Sequence, residues 1–450
     1  MLIRRHKISD EIFFAIASGG GGFSAVDHLA TVEYSKHLLL LRGILEISRE
    51  SRHPQYDHAS RAYDLLARIQ DRQPSAVSTV IRHPAVGAWA RRTVIALQGG
   101  EMRPGAQPAG LASVAAAAAI RSHFPCSIDV PVVSGAVMLP SLGQVTVSNP
   151  GSRSGPCVIR SSRRAAELSG AGRRVLIPGD FRLEAPGWRG LREITAQSGG
   201  KTIRLLIDDL DPYRMPAPSL GKRLTEQEVR TWQAALVQAW DVLIRHHRRT
   251  ACEILASIKV LTPLEAPATG QVSTSARETF GCIALSSPAD PLALAVTFAH
   301  EVQHAKLSAL LDAAELTYPD DGNRYYAPWR DDPRPVSGLL QGAYAYLGVA
   351  AFWCQQRHED QGVAALRAHA EFARWRTAVT RVTETLLGSG RLTRRGEAFV
   401  TGMARVARSW RDEPVPRQAE ATARREEKRH AERWHLNNDH DPAEDLPCAP

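Results

Sequence analysis

The sequence predicts an α+β protein that is mainly helical, with a β-rich insert in its first half. Two observations predict this. Apolar residues recur at helical spacing near the start of the chain and through its second half. Between them, from about residue 126 to 210, that spacing gives way to short β-rich runs broken by Gly, Pro and Asn.

Residues 1–125 read as a helical N-terminal region. HLATVEYSKHLLLLRGILEIS carries Leu29, Val32, Leu39, Leu40 and Ile44 close to helical spacing. The Gly19–Gly22 run before it has no preceding strand and no following Lys-Ser/Thr, so it reads as a flexible turn and not as a phosphate loop. LASVAAAAAI is a buried or linking helix ended by His123-Phe124-Pro125. Residues 126–218 read as an antiparallel β-rich domain or insert, built from IDVPVVSGAVMLP, GQVTVSN, GPCVIRS, RRVLIPG and TIRLLIDD. DDLDPYRMPAPS closes it as an extended linker.

Residues 219–410 return to helix. Thr225 and Glu228 have the spacing of a capping box, and Leu236, Trp240, Leu243 and Ile244 share one face of the helix that follows. RHHRR, residues 245–249, closes that helix, where cations favour the helix dipole. TFGCIALS reads as a strand, and PADPLALAVTFAHEVQHAKLSALLDAAEL as a long helix with Pro291 in its first turn. SGLLQGAYAYLGVAAFWCQQRHE and DQGVAALRAHAEFARWRTAVTRVTETLL are two more helices. Residues 411–450 read as a charged, solvated helix and a disordered tail. His430, His435 and His440 lie there without an apolar pattern, which argues against a ligand role.

The composition sets limits. A hydrophobic share of 44% with 23% charged residues over 450 positions is enough for sizeable cores and for more than one domain. No apolar run approaches a membrane span, and no apolar stretch follows the basic N-terminal residues, so a cytoplasmic protein without membrane contact is expected. The formal charge of +9 is spread along the chain, which fits solubility and an acidic partner better than nucleic-acid binding. The six cysteines are widely separated with no C-x-x-C, so neither a zinc ribbon nor a disulfide framework is suggested.

The stretch that carries chemistry is FAHEVQHAKLSALLD, which contains His300-Glu301-Val302-Gln303-His304, an H-E-x-x-H. Residues four apart on a helix share a face, about 5.4 Å apart along the axis. His300 and His304 can therefore aim ring nitrogens at one metal ion, with Glu301 beside it as base or as partner to a ligand. Two incidental surface histidines are the competing reading, and the almost wholly apolar approach from Ala293 to Ala299 argues against it. The strand ahead suits the edge strand of a zincin-like cleft, so the expected core is an HExxH helix packed by an edge strand.

The third ligand is not apparent. Leu307 and Leu310 stand where a longer histidine motif places Gly and His. Asp312 is too far along an unbroken helix, and Glu315, Asp320 and Asp321 would have to fold back. In the next helix Gln341 occupies a plausible ligand position, but no carboxylate does. After the metal helix comes RYYAPWRDDPRPVSG. There Arg330 and Arg334 could hold a carboxylate through paired hydrogen bonds on a proline-stiffened loop, or could pair with Asp331 and Asp332.

The joint run of the motif, the PWRDDPRP loop and the GLLQGAY helix resembles the HExxH-motif peptide-modification proteins of bacterial natural-product clusters, described as α-ketoglutarate-dependent HExxH-type peptide β-hydroxylases. The close resemblance covers about residues 220–360, and HLATVEYSKHLLLLRGIL is similar to that family's opening segment. It implies Fe(II), α-ketoglutarate and O₂, a ribosomally made precursor peptide as substrate, other modification-cluster enzymes as possible partners, and hydroxylation at a side-chain β-carbon. By the resemblance His300 and His304 are metal ligands, Arg330 and Arg334 are loop residues for the cosubstrate carboxylate, and Gln341 is the place for a further ligand. A zinc metallopeptidase with Glu301 as its base, and a non-catalytic peptide-binding relative, are the alternatives.

Overall fold

The computed structural model describes residues 7–99, 105–147, 156–170, 172–217, 219–266, 270–288 and 290–438. His440 lies outside them. In chain order the helices are α1 (Asp10–Ala17), α2 (Gly22–Glu50), α3 (Tyr56–Arg72), α4 (Pro74–Ile81), α5 (Pro84–Leu97), α6 (Leu111–Arg121), α7 (Glu226–His246), α8 (Arg248–Ser257), α9 (Pro291–Leu311), α10 (Val336–Gln356), α11 (Gly362–Gly388), α12 (Arg394–Ser409) and α13 (Arg417–Asn438). The strands are β1 (Cys126–Val130), β2 (Ala136–Leu139), β3 (Gly143–Thr146), β4 (Cys157–Ser161), β5 (Ala166–Gly170), β6 (Arg173–Ile177), β7 (Trp188–Gly190), β8 (Arg192–Ser198), β9 (Lys201–Ile207), β10 (Val260–Pro263), β11 (Ser273–Thr274) and β12 (Cys282–Leu285). The class is α+β, with helix in the majority. Among the described residues no helix is long and apolar enough to cross a membrane.

The chain divides into two compact units. The first takes residues 27–241 and 255–294 and holds all the strands. Its sheets run β1-β4-β5-β6, β2-β3-β7 and β11-β12-β10-β9-β8. The first two are antiparallel: short turns join β2 to β3, β4 to β5 and β5 to β6, while β1–β4 and β3–β7 pair across longer stretches of chain. In the third, β9, β10 and β12 are parallel, and α7 and α8 lie between β9 and β10 in the chain, as a parallel crossover requires. α6 is buried from Leu111 to Ile120, and its alanine run lets neighbouring elements approach closely. The Thr225–Glu228 capping box forms: the Thr225 amide donates to Glu228 Oε2 at 2.6 Å, and the Glu228 amide to Thr225 Oγ1 at 3.3 Å.

Two expectations are corrected in this unit. β12 is not an edge strand. It pairs with β10 on one side and with β11 on the other, because the chain beyond Leu264 returns to cover it. The expected linker is folded in: Asp208, Asp209, Asp211, Tyr213 and Met215 are buried. Carboxylates make this possible by accepting backbone amides within the turn, Leu210 and Asp211 onto Asp208 Oδ1 at 3.2 and 2.9 Å, and Tyr213 onto Asp211 Oδ1 at 2.8 Å.

The second unit takes residues 7–26, 242–254 and the chain from Ala295 onward. It is helical, with α10 and α12 packed on α11, α13 against α11, and α1 against α12. RHHRR does not close one helix but bridges two. His246 ends α7 and Arg248 opens α8. His247 between them is buried, stacked on Phe352 at 3.8 Å, with Nε2 2.9 Å from Gln356 Oε1. α13 buries Ala419, Ala423 and His430 on one side.

Candidate metal centre

α9 begins at Pro291, with the Asp290 carboxylate accepting the amides of Leu292 at 3.1 Å and Ala293 at 3.3 Å. From Ala295 its apolar residues are buried on several sides, including Phe298, Val302, Ala305 and Leu307. Within that setting His300 and His304 are half-buried. Their rings stand edge to face, centroids 4.8 Å apart at 73°, and the two Nε2 atoms are 3.1 Å from each other.

Gln341 of α10 places Oε1 3.1 Å from His304 Nδ1. An amide oxygen only accepts, so Nδ1 carries the hydrogen and His304 Nε2 presents its lone pair toward His300. The expectation put Gln341 in the ligand set; its oxygen sits at Nδ1 of the His304 ring, on the side away from His300, where it fixes tautomer and orientation. Burial, and then the neighbouring His304, push His300 down to about 3, so the ring stays neutral. Neutral imidazole is the form that binds metal.

The pair fits a metal ion. Two neutral imidazole nitrogens 3.1 Å apart on one helix face are a donor pair that a divalent transition-metal ion would accept. Among the described residues no group of three or more His, Cys, Asp or Glu side chains converges on one point. Two of the three carboxylates expected to fold back are engaged elsewhere. Asp320 pairs with Arg324 at 3.0 Å and Asp321 with Arg391 at 3.2 Å.

Glu301 is 1% exposed. Its charge reaches Tyr346, a residue the sequence reading passed over. Tyr346 stands edge-on to His300, centroids 5.0 Å apart at 77°. Its hydroxyl is pushed up to about 12, by burial above all, with Glu301 and Glu371 adding and Arg374 and Arg330 opposing. Trp329 of the loop stacks on Tyr346 at 4.9 Å, and Trp375 of α11 lies against it at 4.1 Å. A continuous ring contact therefore ties the arginine loop to the histidine pair.

Both loop arginines converge on one acid. Arg330 Nε donates to Asp332 Oδ1 at 2.6 Å and Arg334 Nη1 to Oδ2 at 3.0 Å. Partial burial raises the Asp332 carboxyl, but the bonds from Arg330 and Arg334 outweigh it and hold the group below its ordinary value. A two-way backbone pairing of Tyr325 with Arg334, at 2.8 and 2.9 Å, stiffens the loop. Arg334 Nε is buried without a hydrogen-bond partner. His430, read as a tail residue, accepts or donates at Nδ1 to the Tyr326 hydroxyl at 2.9 Å and so braces the loop's far side.

Two residues past His304, Lys306 is wholly buried. Its ammonium donates to Glu253 Oε2 at 2.8 Å and to the carbonyls of Gly19 at 3.0 Å and Gly20 at 2.9 Å. Glu253 Oε1 accepts the Gly22 amide at 2.9 Å. The glycine run, expected as a flexible turn, is thus pinned to α9.

No family model matches the chain, and no curated protein matches it.

Proposed function

We propose that the protein is an Fe(II)- and α-ketoglutarate-dependent oxygenase that hydroxylates a β-carbon in a ribosomally made precursor peptide. The observation that carries this reading is the His300–His304 pair, with Nε2 atoms 3.1 Å apart, tied by the Tyr346–Trp329 stack to a loop that presents two guanidinium groups. A peptidase needs a water-activating carboxylate but no anion clamp, so the linked arginine loop favours the oxygenase.

In this reading His300 and His304 hold the metal, and Gln341 keeps the His304 ring in its donating tautomer. Held there, Fe(II) would supply the O₂ chemistry that couples oxidative decarboxylation of the cosubstrate, to succinate and CO₂, to hydroxylation of the peptide. Arg330 and Arg334 hold the cosubstrate carboxylate by exchanging away from Asp332. Trp329 and Tyr346 keep the loop in place and exclude water on one side of the pair. Glu301, buried beside Tyr346, orients neighbouring groups and takes no proton from the substrate.

The test is anaerobic reconstitution with Fe(II), then α-ketoglutarate and O₂, with succinate measured first. A peptide encoded beside the gene is then added and its mass followed for the gain of one oxygen. Zinc-dependent cleavage of that peptide with no succinate overturns the oxygenase and restores the metallopeptidase.

A further inference from the structure

The first unit contains a cavity of about 400 Å³ between α5, α6, the β1–β2–β3 region and the Leu210–Tyr213 turn. Its size is within the range of small-molecule sites. Its walls are largely apolar, with Trp89, Val114, Met138 and Tyr213 among them. One rim is the Ser134–Gly135 turn, where both residues have positive φ, 51° and 79°, and Val133 and Ala136 pair across it at 2.8 and 3.1 Å. A non-glycine residue at positive φ is held there by its surroundings. The cavity edge is therefore a fixed hairpin.

The acid in this wall is Asp211, 3% exposed. The charges around it are unevenly shared. Asp209 takes both nearby arginines, Arg192 and Arg223. Arg214 donates Nη1 to the Asp211 carbonyl at 2.8 Å and Nη2 to the Gly221 carbonyl at 3.2 Å. Asp208, 0% exposed, has His83 at 3.7 Å, whose imidazole burial pushes down against the pull of Asp208, and its Oδ2 has no hydrogen-bond partner. Asp208 and Asp211 are adjacent, the amide of one bonded to the carboxylate of the other at 2.9 Å. Burial, reinforced by Asp208, raises the Asp211 carboxyl. Arg214's charge opposes that rise, but its hydrogen bonds go to carbonyls, and Arg189 stands at the exposed rim, so an ammonium group entering the cavity meets the Asp211 carboxylate without a hydrogen-bonded guanidinium on it. Aromatic walls suit the same occupant, because ring faces attract ammonium groups.

We infer that this cavity binds a small organic amine, its apolar body against Trp89 and Met138 and its ammonium group on Asp211. The site is independent of the histidine pair and of the oxygenase reading.

The experiment titrates the full chain by calorimetry at neutral pH with three matched probes: 2-phenylethylamine, 2-phenylethanol and 3-phenylpropanoate. The expected result is an amine affinity about tenfold or more above that of the alcohol, the order a charge-assisted bond contributes. The propanoate should bind weakest. Asp211→Asn, which keeps an acceptor for the Tyr213 amide, should bring amine and alcohol to within about threefold of each other. Ala136→Phe, which fills the cavity from β2, should abolish binding of all three. If Asp211→Asn fails to fold, the probe order on the unaltered protein and its loss in Ala136→Phe still decide. Equal binding of the three probes, no binding, or preference for the propanoate through Arg189 at the exposed rim overturns the inference.

Discussion

Replacing Lys306 by methionine tests whether the buried clasp on α9 holds this part of the fold. Lys306 is 0% and Glu253 2% exposed as side chains, so the pair is shielded from solvent. Burial lowers the lysine, and the charge and hydrogen bond of Glu253 work against that shift. Methionine matches the stem but removes the ammonium from Glu253, and the Gly20 carbonyl loses a 2.9 Å bond, while the Gly19 carbonyl keeps the Gln303 amide at 3.0 Å. Breaking a buried pair by removing one partner costs about 3–5 kcal/mol, whereas replacing both partners is close to neutral. Lys306→Met should therefore lose about 3–5 kcal/mol, and Lys306→Met with Glu253→Gln should recover most of it. The chain has two compact units, so a single unfolding midpoint mixes transitions. Hydrogen exchange resolved to peptides covering residues 17–26 and 298–311 isolates the relevant one. Exchange in both segments should accelerate together in the single variant. A Lys306→Met protein with unchanged exchange there and stability within about 1 kcal/mol of the parent refutes the clasp.

His300→Ala and His304→Ala should each abolish stoichiometric metal binding, while Gln341→Ala should weaken it by about 10–100-fold with the fold intact, as metal analysis by competition would show. Arg330→Ala or Arg334→Ala should weaken α-ketoglutarate binding to the metal-loaded protein by about 2–5 kcal/mol in calorimetry, whereas Asp332→Asn, which frees both guanidinium groups, should leave it equal or stronger. Glu301→Gln should retain iron and measurable, reduced succinate formation; zinc-dependent peptidase activity that vanishes in this variant would reverse the assignment. His247 is held down to about 4, mainly by burial, so the unfolded chain binds more protons than the folded one between about pH 4 and 6.5. Stability should therefore fall as pH drops through that window, by about 3 kcal/mol in all from this group, and His247→Asn should flatten the fall in urea titrations.

The histidine pair was legible because an i, i+4 repeat fixes a shared face whatever surrounds it. Tyr346 was not. In the AYAY run of α10 both tyrosines look like core residues, and one of them is: Tyr344 is buried and donates to the Ile16 carbonyl at 2.6 Å. Two residues on, about 200° around the helix, Tyr346 meets His300 instead. The Lys306–Glu253 pair spans 53 residues of chain and leaves no local pattern at all. β10 was hidden for another reason. All four residues from Val260 to Pro263 are buried, as in β12, but the run is short and ends on a proline, which in a sequence argues against a central strand. The Asp208–Tyr213 turn read as linker because Asp and Pro suggest solvent, and burial by side-chain-to-amide bonds has no signature in composition.

The glycines in SGLLQGAYAYLG explain why the pieces of the candidate site come together. At Gly342 a β-carbon would stand 2.4 Å from the Trp329 indole Nε1, so only glycine lets the loop's tryptophan lie on α10. At Gly348 it would stand 2.6 Å from Gln303 Cγ and 2.9 Å from the Ala299 carbonyl, so α9 and α10 approach closely there for the same reason. Gln341, next to the first of those contacts, and Tyr346, between the two, are the α10 side chains that reach the histidines. One helix thus sets the loop and α9 at fixed distances from each other, while its own Gln341 and Tyr346 orient one imidazole and cover the other. The arginines of the loop inherit their placement from Trp329, which makes their relation to the histidine pair a property of packing and not of a mobile surface segment.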